Sequence, residues 1–153
     1  MSNLRLKIPP VAQGIITLVC IWLLSRYVPI FHIDITFKAI VSVVIICIGV
    51  LVGVLAVSSF IRLRTTVDPR YPEKASKLVV NGIYRYSRNP MYLAIVLVLF
   101  GISIYLGALS SLLILFLFVV YINRFQIVPE EQMLTQKFGE QYIQYTSQVR
   151  RWI

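Results

Sequence analysis

The stretch Arg85–Val96, RYSRNPMYLAIV, changes character at Pro90. Before it stand Arg85, Tyr86, Ser87, Arg88 and Asn89; after it an apolar run continues to Leu106. Proline fixes φ and lacks an N–H, so it suits the first position of a helix, and asparagine suits the cap before it. The stretch therefore predicts a helix that starts at a polar, cationic border and enters an apolar medium. Arg88 is placed to snorkel, and Tyr92 suits the interfacial belt of a bilayer. The same geometry offers free N–H groups at a membrane surface, where a carboxylate or another polar ligand atom can be held.

The rest of the chain supplies that medium. Of its 153 residues 58% are apolar, against ~45–50% in a soluble domain, and the mean hydropathy is +0.80. Three further apolar segments accompany the one at about Met91 to Leu106: about Ile8 to Val28, about Ala39 to Ile61 and about Ala108 to Ile122. A helix needs roughly 20 residues to cross the hydrocarbon. The first two segments reach that length. The last two meet at SIYLGALSS, where Gly107 permits a tight turn, and they read as a helical hairpin. No alternating ten-residue pattern of the barrel kind occurs. The fold class is thus all-α: a polytopic membrane protein of about four transmembrane helices in a single domain, residues 1–153. The N-terminus has Arg5 and Lys7 before an apolar stretch but no small-x-small cleavage site, so it reads as a span.

Lys and Arg total 15 against 6 acidic residues. Because these cations sit between apolar spans, they speak for topology and anionic lipid rather than nucleic acid. The segment Arg62 to Arg88 carries Arg62, Arg64, Arg70, Lys74, Lys77, Arg85 and Arg88; Arg5 and Lys7 precede the first span, and Arg124, Lys137, Arg150 and Arg151 follow the last. The positive-inside bias puts both termini and the middle loop on the cytoplasmic side. The style of the N-terminus points to a bacterial inner membrane. Gly49 and Gly53 stand at GxxxG spacing and read as close helix packing. Cys20 and Cys47 fall inside apolar runs and predict neither a disulfide nor a metal site.

From Pro129 the residues Leu134, Phe138, Tyr142, Tyr145, Val149 and Trp152 recur on one helical face. This predicts a C-terminal amphipathic helix on the membrane or against the cytoplasmic ends of the spans. Gly139 interrupts it at about 1 kcal/mol relative to Ala, which suggests close packing there. Glu130 and Glu131 sit in a first helical turn, where carboxylates favour the dipole; Glu130 is also suited to a cationic ligand or to ligand hydroxyls.

The chain has no GxGxxG, P-loop or HExxH. Its one histidine, His32, falls in the predicted outer turn and reads as a surface residue. No acidic residue lies within the four apolar cores, which disfavours a proton-coupled transporter. The middle loop, at about 26 residues, exceeds the ~12–15 at which loops tend to be functional or disordered, and its LVVNGIYRY is too apolar for a wholly solvated linker. A small non-enzymatic assembly or packing subunit accounts for spans, charge and caps alone.

The order of motifs is more specific than any one of them. Leu78-Val79 is followed by Gly82-x-Tyr84, Arg88-Asn89-Pro90-x-Tyr92, a hairpin, Glu130-Glu131 and Phe138-Gly139-x-x-Tyr142-x-x-Tyr145. Over residues 76–152 this order resembles the integral-membrane methyltransferases that include isoprenylcysteine carboxyl methyltransferase and the phospholipid N-methyltransferases. The resemblance implies S-adenosylmethionine as cofactor without a Rossmann domain, no metal, and a lipophilic or lipid-attached methyl acceptor. It assigns Ser76, Lys77, Leu78 and Val79 to a stretch that contacts the cofactor, Tyr84 to a cofactor-contacting tyrosine, and Asn89, Pro90, Met91 and Tyr92 to a His-Pro-x-Tyr signature. Glu130 matches the cofactor-binding glutamate. Two positions depart from the pattern. Asn89 replaces the histidine, which removes a titrating group there. Gln126 replaces the substrate-side arginine of the prenylcysteine enzymes, with Arg124 two residues earlier and about 200° around a helix. Arg124 and Gln126 are the candidates for acceptor contact.

Overall fold

The computed structural model describes residues 9–31, 36–63 and 77–153. Ser76, His32, Arg5, Lys7 and the cations Arg64, Arg70 and Lys74 lie outside the described residues. Within them every regular element is helical: α1 (Pro10–Tyr27), α2 (Lys38–Leu63), a 3₁₀ turn (Gly82–Arg85), α3 (Pro90–Leu106), α4 (Leu109–Ile122), a π turn (Asn123–Ile127), α5 (Val128–Phe138) and α6 (Glu140–Gln148).

Among the described residues three helices are long and apolar enough to cross a membrane: Pro10–Tyr27, Lys38–Leu63, and the run Leu109–Phe138 that joins α4, the π turn and α5. Helix α3 is a shorter apolar helix beside them. Local chemistry sets their ends. Pro10 and Pro90 occupy first turns, and Gly107 closes α3 in the left-handed region at φ 67 with its N–H donated to the Ser103 carbonyl, a conformation in which a Cβ is disfavoured. Side chains such as Val43, Ile48, Val54, Phe116 and Leu117 remain exposed, as expected of surfaces that meet lipid rather than water.

The helices alternate in direction. Helices α2 and α3 form the most extensive pair and run antiparallel: a Cβ on Gly49 would meet Leu97 and Val98 at 3.0 Å, one on Gly53 would meet Ala94 at 3.3 Å, and one on Gly101 would meet Ile46 Cγ1 at 2.7 Å and the Ser42 carbonyl at 3.0 Å. The GxxxG pair thus packs as expected, with Gly101 as its counterpart across the interface. Helix α1 lies against α4: Gln13 near its start bonds Gln126, and Phe31 beyond its end accepts from the Leu109 N–H. The starts of α1 and α3 and the ends of α2 and α4 therefore share one end of the bundle. The 3₁₀ turn, α5, α6 and the final residues gather there.

Two expectations for the C-terminal part are corrected. The single amphipathic helix is two helices, broken at Gly139 and ended at Gln148, with residues 149–153 non-helical. Gly139 is not a close-packing site, since a Cβ there would meet nothing within 4 Å. Its φ of 52 and ψ of −128 are a backbone state that L-residues rarely adopt, so the glycine serves the bend. The second correction concerns Pro129. It does not open a free helix end, because α4 runs into α5 through the π turn, in which the Val128 N–H reaches the Asn123 carbonyl. A proline inside a helix lacks a donor and crowds the preceding turn; the wider turn accommodates it.

Candidate active site

The polar end is built from three chain segments. The first is Val79–Tyr92. Val79 and Tyr84 are buried against Ala56 of α2, with Phe60, Leu63, Ile83 and Met91 packed around them. The Phe60 and Tyr84 rings meet edge to face at 5.5 Å. This apolar seat orients the 3₁₀ turn and fixes the chain direction into Pro90. The second segment is the π turn with the start of α5, and the third is α6 with the tail.

The contact between the first two segments is direct. The Tyr92 hydroxyl donates to Glu130 Oε2 at 2.6 Å. Tyr92 is therefore not an interfacial belt residue: it is buried and belongs to the central cluster with Ile21, Leu99, Phe118, Ile122 and Ile127. One turn before Glu130, Gln126 is 1% exposed. Its Oε1 accepts from Gln13 Nε2 at 3.3 Å, while its buried Nε2 is directed toward the Tyr92 hydroxyl. The π turn that places Gln126 inward leaves Arg124 exposed. Turns of this kind are frequent at functional sites.

Glu131 faces the other way. It takes Arg151 in a two-point contact, Nη2 at 2.6 Å and Nε at 3.2 Å, and Arg88 Nη2 at 3.3 Å. Arg88 is mostly buried in this ion pair rather than snorkelling. Its Nε has no partner. Arg151 Nη1 also reaches Asn123 Oδ1 at 3.3 Å. The hydrogen bonds that Arg151 donates to Glu131 favour its charged form, against the smaller opposing effect of burial.

Asn89 occupies the cap position of α3 but caps nothing with its side chain. Its Nδ2 donates instead to the Arg151 carbonyl at 3.0 Å, and its backbone N–H donates to Ser87 Oγ at 3.1 Å. The Arg88 N–H donates to the Arg150 carbonyl at 3.0 Å. Two tyrosines of α6 close the arrangement. Tyr145 donates to the Tyr84 carbonyl at 2.7 Å, and Tyr142 is buried beside it. Burial above all, then the Glu130 charge and Tyr145, push the Tyr84 phenol well above its ordinary range. Burial likewise raises Tyr142 and Tyr145, with the Arg88 charge opposing it in both. All three are hydrogen-bond donors, not bases, at neutral pH.

Of the residues expected at the site, Val79, Tyr84, Asn89, Pro90, Met91, Tyr92, Gln126 and Glu130 lie at this one end. Leu78 is half-buried beside them and Lys77 is exposed. Gln13 and Arg151 were not foreseen. Glu131 was visible as the neighbour of Glu130, but nothing local distinguishes the jobs of the two. Gln13, a lone amide in an apolar span, was the available signal for α1, because a polar side chain at that depth is expensive unless it serves something. Among the described residues no group of three or more His, Cys, Asp or Glu side chains is placed to hold a metal ion.

The fold and this polar end define a multi-span membrane protein with a charged, tyrosine-rich site at one end of its bundle. The phospholipid methyltransferase family matches residues 37–141, and the chain belongs to that family. It is also 41% identical, over 63 residues, to an uncharacterised protein of Haemophilus influenzae; the match covers 41% of this chain and all of that one. No solved structure is significantly similar to it. The family match leaves out α1 and ends at Gln141, short of Tyr142, Tyr145 and Arg151.

Proposed function

We propose that the protein moves a methyl group from S-adenosylmethionine to a lipophilic or lipid-attached acceptor at the cytoplasmic face of the membrane, with both termini on that side and a cofactor site like that of isoprenylcysteine carboxyl methyltransferase. The observation that carries this reading is the 2.6 Å contact of Tyr92 with Glu130, which joins two halves of the motif that lie 38 residues apart in sequence. The residues present fit such a cofactor. A half-buried carboxylate suits a ligand with cationic and hydroxyl-bearing parts, and buried Arg88 Nε is a donor without an acceptor, a state that costs about 1–3 kcal/mol until a ligand oxygen relieves it.

When bound, the cofactor supplies an electrophilic methyl group on a positively charged sulfur. The chain binds and orients. Glu130 holds a polar or cationic part of the cofactor, and the Tyr84 and Tyr92 rings face its charge, an attraction of about 0.5–2 kcal/mol. Lys77, Leu78 and Val79 line its path through backbone and apolar side chains, and Asn89, Pro90 and Met91 shape the wall at the start of α3. Gln126, buried beside Tyr92, faces the acceptor, and exposed Arg124 does not. No group at position 89 takes a proton, so rate comes from alignment, for which roughly 7–11 kcal/mol is available, and from exclusion of water by α6 and the tail.

Isothermal titration of the purified protein with S-adenosylmethionine tests this. Wild type is expected to bind, and Glu130→Gln to bind at least about tenfold more weakly, since a charged hydrogen-bond acceptor is worth about 1.5–3 kcal/mol. No heat from folded wild type would instead favour a non-enzymatic membrane subunit. Incubation with labelled S-adenosylmethionine and total membrane extract then identifies the acceptor by what becomes labelled.

A further inference from the structure

The last five residues form no helix, yet they hold the site at several points. Arg151 alone makes a two-point contact with Glu131 and a third with Asn123. Its carbonyl accepts from Asn89 Nδ2 at 3.0 Å and lies 3.5 Å from the Ser87 hydroxyl. The neighbouring Arg150 carbonyl accepts from the Arg88 N–H. Trp152 packs against the cluster that contains Tyr92, Ile122 and Ile127. One residue therefore bonds both the segment before α3 and the first turn of α5. Those two elements carry the partners of the 2.6 Å contact between Tyr92 and Glu130.

We infer that Arg151 is a positioning residue: by pinning Glu131 and Asn89 it fixes α5 against the start of α3, so that the adjacent Glu130 is held on Tyr92 and faced toward the ligand. Geometry supports the link. Glu130 and Glu131 are consecutive on a helix, about 100° apart, so a two-point grip on Glu131 fixes the rotation of α5 and with it the direction of Glu130. A forked guanidinium suits this task better than an ammonium, because two parallel bonds to one carboxylate define an orientation and not merely a distance. The same reasoning gives Asn89 a different job from that of the histidine it replaces: its side-chain N–H is committed to the Arg151 carbonyl. Residue 151 also lies beyond the part of the chain that matches the family, which ends at 141.

This inference rests on the proposed cofactor site, so its test has one arm that uses S-adenosylmethionine and one that does not. In the first, wild type, Arg151→Ala, Arg151→Lys, Glu131→Gln and Trp152→Ala are titrated with S-adenosylmethionine, and their thermal midpoints are recorded in the same detergent. Arg151→Ala and Glu131→Gln are expected to bind about tenfold more weakly, and Arg151→Lys, which keeps the charge but not the fork, to recover only a minor part of that loss. Trp152→Ala is expected to lower the midpoint with little change in affinity. In the second arm, hydrogen exchange without ligand is expected to speed up in residues 88–93 and 128–133 of Arg151→Ala and Glu131→Gln, and not in α2. Wild-type affinity in both variants, or affinity that merely follows the thermal midpoint across all four, overturns the inference. So does unchanged exchange in those two segments, whether or not the ligand binds. Should Arg151→Ala fail to fold, the near-isosteric Glu131→Gln carries both arms. Loss of binding by wild type itself, with the exchange result as expected, would strike the cofactor reading and leave the positioning role standing.

Discussion

Helices α2 and α3 meet through glycines and apolar side chains, while the tail meets the start of α3 through hydrogen bonds to its carbonyls and meets α5 through an ion pair. Along α2 and α3 the contact is made by what is missing: around an added Cβ the neighbours would stand at 3.0 Å or closer at Gly49 and Gly101 and at 3.3 Å at Gly53. Lipid tails are as apolar as leucine, so burial drives little association there and close packing must do it. At the polar end, Arg88, Glu131, Arg151 and Asn89 are joined by directional bonds of 2.6 to 3.3 Å. The first region sets where the helices stand, and the second sets how functional groups face one another. Damage to the first should cost fold; damage to the second should cost ligand affinity first.

The largest expected effect is on the apolar side. Gly101→Leu puts a side chain where Ile46 and the Ser42 carbonyl already stand. The backbone atom cannot yield, and overpacking of about 3 kcal/mol or more is expected. Thermal unfolding in detergent checks it; a small shift would mean that the α2–α3 contact is looser than its geometry. Next comes Tyr92→Phe, which strips Glu130 of its hydrogen-bond donor. A loss of about 1–3 kcal/mol is expected, read as a lower thermal midpoint together with weaker S-adenosylmethionine binding. An unchanged affinity would separate Glu130 from the ligand.

Gly139→Ala sharpens the comparison, because it is a backbone test with no packing component. Nothing lies near the new Cβ, but φ 52 with ψ −128 is forced, so about 1–2 kcal/mol is expected. A neutral result would show that α5 and α6 can be joined another way. The smallest effect is the response to alkaline pH. Tyr84, Tyr142 and Tyr145 hold their protons above the ordinary phenol range in the folded state. The unfolded chain releases them near pH ~10, so it binds fewer protons than the native state above that point. Their contribution is complete below pH ~10 and is lost as pH rises beyond it. Thermal midpoints between about pH 9 and 11 should fall, and Tyr142→Phe should make that fall shallower; an equal slope in the variant would remove Tyr142 from the account.

The spans were legible because their signals are local. Segments expected at about Ile8–Val28, Ala39–Ile61, Met91–Leu106 and Ala108–Ile122 correspond to helices at Pro10–Tyr27, Lys38–Leu63, Pro90–Leu106 and Leu109–Ile122. Proline, glycine and hydropathy act on their own neighbourhood, so a reader of the chain sees them. The π turn was not legible: Pro129 within a run that stays helical was its only trace, and it was read as a helix start. The tail was misread because its apolar spacing is truly helical up to Gln148, whereas the bend at Gly139 is a backbone choice that periodicity does not register.

Composition and order alone determined that this is an all-helical chain built for a bilayer, with its cations between or beyond the apolar spans and a methyltransferase-like order of motifs. That follows because transfer to lipid and helix capping are properties of short segments. Only the tertiary structure decided which of two adjacent glutamates meets Tyr92 and which is gripped by Arg151, that Asn89 serves the tail, and that Gln13 of the first helix touches Gln126. Those partners lie between 20 and 113 residues apart. A directional bond over such a separation exists only once the helices have been packed side by side, and nothing in either partner's own neighbourhood encodes it.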